Sequence, residues 1–121
     1  MSPNRMALGR WGEEVAADYL QQRGYTILGR NVRTPYGELD LVARRGDIMV
    51  FVEVKMRSTE AFGLPEESVT EKKREHILAS AAAFLQEHPE LDGDWQVDVI
   101  AIQPSSTGRP PRITHFEHAL S

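Results

Sequence analysis

The chain has 121 residues, 40% of them apolar, a formal net charge of −4 and no cysteine. That length suits one compact domain spanning residues 1–121 and is short for two, and the missing cysteines exclude disulfides and any cysteine-based zinc site. The acidic balance counts against a general nucleic-acid binder and fits an ordinary acidic cytosolic protein, yet the charge is uneven, +2 through Arg57 and −6 beyond it.

Met1-Ser2-Pro3-Asn4-Arg5 lacks an apolar leader. No run approaches the roughly 18 apolar residues of a membrane span, so the expectation is a cytoplasmic protein without a membrane partner. Leu8, Trp11, Val15, Tyr19 and Leu20 recur at helical spacing and Gly24 follows as a stop, which predicts a first helix. Tyr25 to Val32 reads as a strand, Thr34-Pro35-Tyr36-Gly37 as a turn, and Glu38 to Ala43 and Ile48 to Lys55 as two strands joined by Arg44-Arg45-Gly46-Asp47. A loop with Gly63 and Pro65 follows. Ser68 with Glu71 gives a capping-box signal for a second helix through Ile77, Leu78, Ala81, Phe84 and Leu85, ended near His88-Pro89. Trp95 to Ile102 is a strand, 103–111 a flexible loop, and Arg112 to His118 a last short strand. The order α-β-β-β-α-β-β predicts an α/β domain in which a mixed sheet is flanked by helices and the second helix is the crossover between parallel strands.

In the strand ending at Lys55, Glu53 and Lys55 project to one side and Val52 and Val54 to the other, and Asp40 faces the pair from the neighbouring strand. Two carboxylates and an ammonium on one face are the set a Mg²⁺-dependent phosphodiester hydrolase needs. Mg²⁺ or Mn²⁺ held by Asp40, Glu53 and the Val54 carbonyl would polarise the phosphate and lower the pKa of a bound water. Lys55 would position or deprotonate that water, or clamp the phosphate. The competing reading is a Glu53–Lys55 surface ion pair worth about 0 to 1 kcal/mol. An acid two places before a lysine does not separate them, since the pattern recurs at Glu71-Lys72-Lys73. More telling is a lysine set in a valine strand of a chain with three lysines against eleven arginines. Lysine can give up its proton near neutral pH and arginine cannot.

Glu13 and Glu14 lie on the first helix, as extensions of the acidic cluster or as routine surface acids; Glu38 shares the parity of Asp40 or simply occupies the turn. Lys72 and Lys73 open the second helix, where cations oppose the dipole, which suits either a phosphate contact or a solvated charge run. Arg33 and Arg57, with Arg30, Arg44 and Arg45, are candidates to line a DNA path, and each singly is also an ordinary surface arginine. His115 and His118 would point to opposite faces of a strand, against joint metal ligation, and His76 and His88 read as surface residues. Serine-hydrolase, P-loop and dinucleotide signatures are absent.

Gly12-Glu13 followed by Ala16, Arg30-Asn31 with Arg33, Gly37-Glu38-Leu39-Asp40-Leu41-Val42, Phe51-Val52-Glu53-Val54-Lys55 with Arg57, Phe62-Gly63, Lys72-Lys73 and Val97-Asp98-Val99-Ile100 together resemble the bacterial YraN-like family, from about Gly9 to Ile102. Those proteins are predicted endonucleases of the restriction-endonuclease-like superfamily, similar to archaeal Holliday-junction resolvases. The resemblance implies a restriction-endonuclease-like core. It puts Asp40, Glu53 and Lys55 at the superfamily's Asp and Glu-x-Lys positions, and Glu13 at its first-helix acid. It further implies a homodimer that cuts branched DNA with Mg²⁺ and leaves a 5′-phosphate. Leu39 stands where the superfamily signature often has proline, which makes the motif less diagnostic without removing a ligand. The alternative is a non-cleaving nucleic-acid-binding or partner-recruiting domain on a nuclease fold.

Overall fold

Five strands line up in chain order in one sheet: β1 (Thr26–Thr34), β2 (Gly37–Arg45), β3 (Ile48–Met56), β4 (Trp95–Gln103) and β5 (Arg112–Phe116). The structure is a computed structural model that describes residues 5–57, 70–105 and 108–120. β1, β2 and β3 form an antiparallel meander, β3 and β4 run parallel, and β5 returns antiparallel to β4. The parallel step needs a crossover, and α2 (Glu71–Glu87) lies within it. The α/β order and the mixed sheet flanked by helices are those the sequence implies. No helix among the described residues is long and apolar enough to cross a membrane.

Alternation along the strands builds two cores, one per face. Leu41, Ala43, Val50, Val52, Ile100 and Ile102 pack with Ala16, Ala17 and Leu20 of α1 (Arg5–Gln22). Val42, Met49, Phe51, Val97 and Val99 pack with Ile77 and Ala81 of α2. Each large apolar side chain removed from water contributes about 1.5–3 kcal/mol, so the period-two pattern is strongly enforced on both faces. Leu39, in the place where proline is common, is 2% exposed and belongs to the α2-side core.

α1 ends in a Schellman arrangement. The Tyr25 N–H reaches the Leu20 carbonyl at 3.0 Å and the Gly24 N–H the Gln21 carbonyl at 3.1 Å, with Gly24 at φ 90°. Its buried stripe is Gly12, Ala16, Ala17 and Leu20. Trp11, expected on that stripe, is instead 37% exposed. The helix packs so closely on β3 that a Cβ at position 12 would lie 2.4 Å from Met56 Sδ. Small residues face the sheet, and the indole is turned toward the rim.

α2 begins at Glu71 with Thr70 as N-cap, its hydroxyl accepting from the Lys73 N–H at 3.1 Å. Ser68, expected as the cap, lies outside the described residues, as do Phe62, Gly63 and Pro65. β5 stops at Phe116, two residues short of the expected end. The reason is Asp98, which is wholly buried in β4 on the α1 face. Its carboxylate accepts from the His118 N–H at 3.0 Å and from Gln96 Nε2 at 2.9 Å, and meets His115 Nε2 at 2.7 Å. Tyr19 of α1 reaches the other ring nitrogen of His115 at 3.3 Å. His118 adopts φ 52°, and the following Ala119 and Leu120 N–H groups turn onto the Val97 carbonyl. The two histidines therefore converge on one buried acid, His115 through its ring and His118 through its backbone.

Candidate active site

The β2–β3 pairing ends at Leu41 and Val52, which brings Asp40 beside the stretch of β3 that carries Glu53 and Val54. Glu53 lies on the face covered by α2, where Lys73 reaches it. Asp40 Oδ2 accepts the Val54 N–H at 2.8 Å, which ties the carboxylate to the strand carrying its partner. Glu53 is 7% exposed. Its Oε1 is 2.8 Å from Lys73 Nζ, descending from the first turn of α2, and 3.9 Å from Lys55 Nζ.

Two acids and two ammonium groups thus share one half-buried cleft, and their protonation states are linked. Burial and the facing Glu53 carboxylate, with a smaller push from Glu13, drive the Asp40 carboxyl up to about 7 against the pull of the Val54 N–H. Burial and the adjacent Lys73 ammonium hold Lys55 below the usual lysine range, against the attraction of Glu53 and Asp40. For Lys73 burial acts downward too, but the hydrogen bonds to Glu53 and Lys55 prevail and hold it above its ordinary value. Lys73 is the committed cation and Lys55 the one more readily deprotonated.

Glu13 approaches from α1. Its Oε1 accepts from Asn31 Nδ2 at 3.1 Å, and Asn31 takes φ 50° within β1, a left-handed conformation that asparagine tolerates better than most residues. Among the described residues no three His, Cys, Asp or Glu side chains are grouped closely enough to cage a metal. The hard oxygens of Asp40 and Glu53 nevertheless fit a small divalent cation, because Mg²⁺ commonly takes one or two carboxylates and completes its shell with water. Two carboxylates close together, one of them driven toward its protonated form, repel each other, and a bound cation would relieve that repulsion.

The residues assigned to a DNA path fare unevenly. Arg33 is well exposed, 3.8 Å from Glu38, and Lys72 is exposed on α2. Arg57 follows β3, its N–H on the Ile102 carbonyl at 2.8 Å. Lys73 does not join an outward charge run; it belongs to the acidic cluster through Glu53, because its side chain reaches from the first turn of α2, a helix packed on β2, to Glu53 on β3. Arg44 and Arg45 lie at the opposite end of β2, where Arg44 binds the Gly46 carbonyl and Arg45 reaches Glu117 at 3.0 Å and the Tyr25 hydroxyl at 2.9 Å. At about 3.3 Å per residue they stand some 13–17 Å from Asp40. The Glu53–Lys55 pair is not a surface pair either, since Glu53 is buried and its short partner is Lys73.

The family profile described as "Uncharacterised protein family UPF0102" matches residues 12–102, a span that contains every residue of this cleft. The chain belongs to the UPF0102 family. Among its UPF0102 relatives, a protein of Pelotomaculum thermopropionicum is 44% identical over 120 residues, covering 99% of this chain and 100% of its own. One from Syntrophotalea carbinolica is 43% identical over 120 residues, covering 99% and 96%, and one from Dehalococcoides mccartyi is 38% identical, covering 99% and 98%. Among solved structures the chain is similar to SfsA of Pyrococcus furiosus, in complex with Ca²⁺, with a TM-score of 0.48 and 14% identity over 89% of this chain and 63% of that chain.

Proposed function

We propose that this UPF0102 chain is a Mg²⁺- or Mn²⁺-dependent DNA endonuclease that hydrolyses phosphodiester bonds and selects branched, Holliday-junction-like DNA. The observation that supports it most directly is the convergence of Asp40, Glu53 and Lys55 in one cleft, with Asp40 hydrogen-bonded to Val54 at 2.8 Å. Asp40, Glu53 and the Val54 carbonyl would hold the metal, which supplies Lewis-acid polarisation of the phosphate and a more acidic water. Lys55, with its lowered proton affinity, takes a proton from the attacking water or holds a phosphate oxygen. Asp40 would have to give up its proton to hold a cation, and the Val54 N–H keeps that carboxylate aimed. Glu13, fixed by Asn31, adds negative charge at the rim that favours a cation over bare solvent. Arg33, Arg57 and Lys72 carry the backbone of the bound DNA.

The test is incubation of purified protein with branched, nicked and linear DNA and either metal. Cleavage that disappears with EDTA and in Lys55→Ala supports the reading; cleavage unchanged in Lys55→Ala points to a contaminant and ends it. A homodimer belongs to the same proposal, and a monomeric mass at micromolar concentration removes it. One observation favours a non-cleaving DNA-binding domain instead: Lys73 already neutralises Glu53 from within the chain at 2.8 Å. That reading predicts salt-dependent DNA binding without cleavage under any metal.

A further inference from the structure

Beside Glu53 the cleft opens into a cavity of about 240 Å³ between the β1–β2 turn and α2, lined by Tyr36, Glu38, Glu53, Lys73, His76 and Ile77 among others. It is smaller than the roughly 300–1,000 Å³ of a site for a drug-sized ligand, and suits one flat heterocycle. Its chemistry selects the occupant. Lys73, the lysine on its wall, is held by Glu53, and two carboxylates face the space, so a phosphate is not the group it accepts. Carboxylate and imidazole atoms offer acceptors and donors to a neutral ring with polar edges, and Ile77 offers an apolar wall.

At the rim stands Tyr36, 55% exposed, the most exposed large hydrophobic residue described. Among the described residues its ring has no aromatic partner. The turn that carries it is nonetheless fastened. Thr34 Oγ1 meets the Gly37 carbonyl at 2.9 Å, the Ser80 hydroxyl at 2.8 Å and the Tyr36 N–H at 3.1 Å. A hydroxyl has one proton and two lone pairs, so Thr34 gives its proton to Gly37 and accepts from Ser80 and Tyr36, using its full capacity. Ser80 is 1% exposed in α2, which anchors the turn to the helix that forms the cavity wall. An exposed aromatic ring on a rigid support is a stacking platform.

We propose that this cavity is a subsite for an unpaired nucleobase, stacked on Tyr36 and hydrogen-bonded within the pocket, while the adjoining phosphate lies at Asp40 and Glu53. The inference rests on the nuclease reading for the phosphate and stands on the cavity and the turn for the base. It makes the preferred substrate DNA with an extrahelical or single-stranded nucleotide. Among branched DNAs it therefore favours junctions whose branch point exposes an unpaired nucleotide. Aromatic stacking tolerates any base because every base has a π-face.

The full chain is tested in EDTA at fixed salt, against duplexes of one length that are either fully paired or carry one extrahelical 2-aminopurine. The bulged duplex should bind about tenfold more tightly, with a change in 2-aminopurine emission on binding. Tyr36→Ala should lose roughly 5- to 100-fold of affinity for the bulged duplex alone, and Tyr36→Trp should keep it. Equal affinity of the unaltered chain for both duplexes overturns the subsite, as does an unchanged preference in Tyr36→Ala. Metal-dependent cleavage without a bulge preference ends this inference and leaves the nuclease reading intact; a bulge preference without cleavage under any metal does the reverse.

Discussion

Asp40 and Lys73 show how a single side chain here works against the stability of the metal-free fold or restores it. The Asp40 carboxyl ordinarily ionises near 3.8 and is driven up to about 7 in the folded chain. The folded state therefore binds a proton that the unfolded state has released, and stability falls as pH rises from about 4 to 7. Replacing Asp40 with Asn removes the charge while keeping an oxygen for the Val54 N–H. In EDTA at pH 8, Asp40→Asn should be more stable than the parent by about 1–3 kcal/mol, and at pH 4 the two should melt together. Thermal unfolding at the two pH values checks this; a loss of stability at pH 8 contradicts it. Lys73 acts in the other direction. Lys73→Met leaves Glu53 buried without its short partner and should cost about 1–2 kcal/mol, below the range for fully buried pairs because Lys73 is half exposed. Adding Glu53→Gln should recover most of that loss, and Lys72→Met should stay within about 0.5 kcal/mol of the parent. Chemical denaturation of the parent, Lys73→Met, Glu53→Gln and the double variant gives the cycle, with Lys72→Met as the control.

Between α1 and β3 the geometry turns on Gly12. A Cβ at position 12 meets Met56 Sδ at 2.4 Å and Val54 Cγ1 at 3.7 Å. Gly12→Ala asks a flexible thioether to move and gains helix propensity of about 1 kcal/mol, so its net effect should be near zero. Gly12→Val places branches against Val54 as well and should cost about 1–3 kcal/mol by lifting the helix from the strand. It should also weaken the Asn31–Glu13 contact, which that helix positions; denaturation and an amide NMR shift at Asn31 report the two effects. At this scale the sequence was most readable. Valine- and isoleucine-rich alternation located the strands, Gly24 located the end of α1, and the need for a crossover predicted the parallel β3–β4 pair. Less readable were features set by contact between elements. Trp11 fits the helical period, yet the close approach at Gly12 leaves space only for small residues. Lys73 looks like half of a basic pair until α2 packs on β2 and its first turn sends that side chain to Glu53. Asp98 did carry a signal, because an acid within Val97-Asp98-Val99 must be partnered once buried, but nothing local identified His115 and Tyr19 as the groups that meet it.

Across the whole molecule the two faces of the sheet carry different burdens. On the α1 face Asp98 joins β4, β5, the C-terminal turn and, through His115 and Tyr19, the first helix. At the cleft reached by α2, Asp40, Glu53, Lys55 and Lys73 gather charge that a purely structural design would avoid. Strain concentrated at a working site and compensated elsewhere is the arrangement expected where function and stability compete. It predicts a crossed outcome. Asp98→Ala strips the partner from the His118 N–H, the Gln96 amide and the His115 ring together, and should destabilise by about 3–5 kcal/mol. In the fraction that remains folded the proposed nuclease activity should be unchanged, since the Asp98 carboxylate lies on the α1 face of the sheet, away from Glu53 and Lys73. Lys55→Ala should remove cleavage and lower stability by no more than about 1 kcal/mol, because an ammonium whose proton affinity burial has already reduced contributes little to the fold. Melting curves and cleavage rates corrected for folded fraction, measured on both variants, separate the faces. Equal losses of activity and stability in each would show instead that the sheet transmits its packing directly into the cleft, and that the two clusters act as one unit.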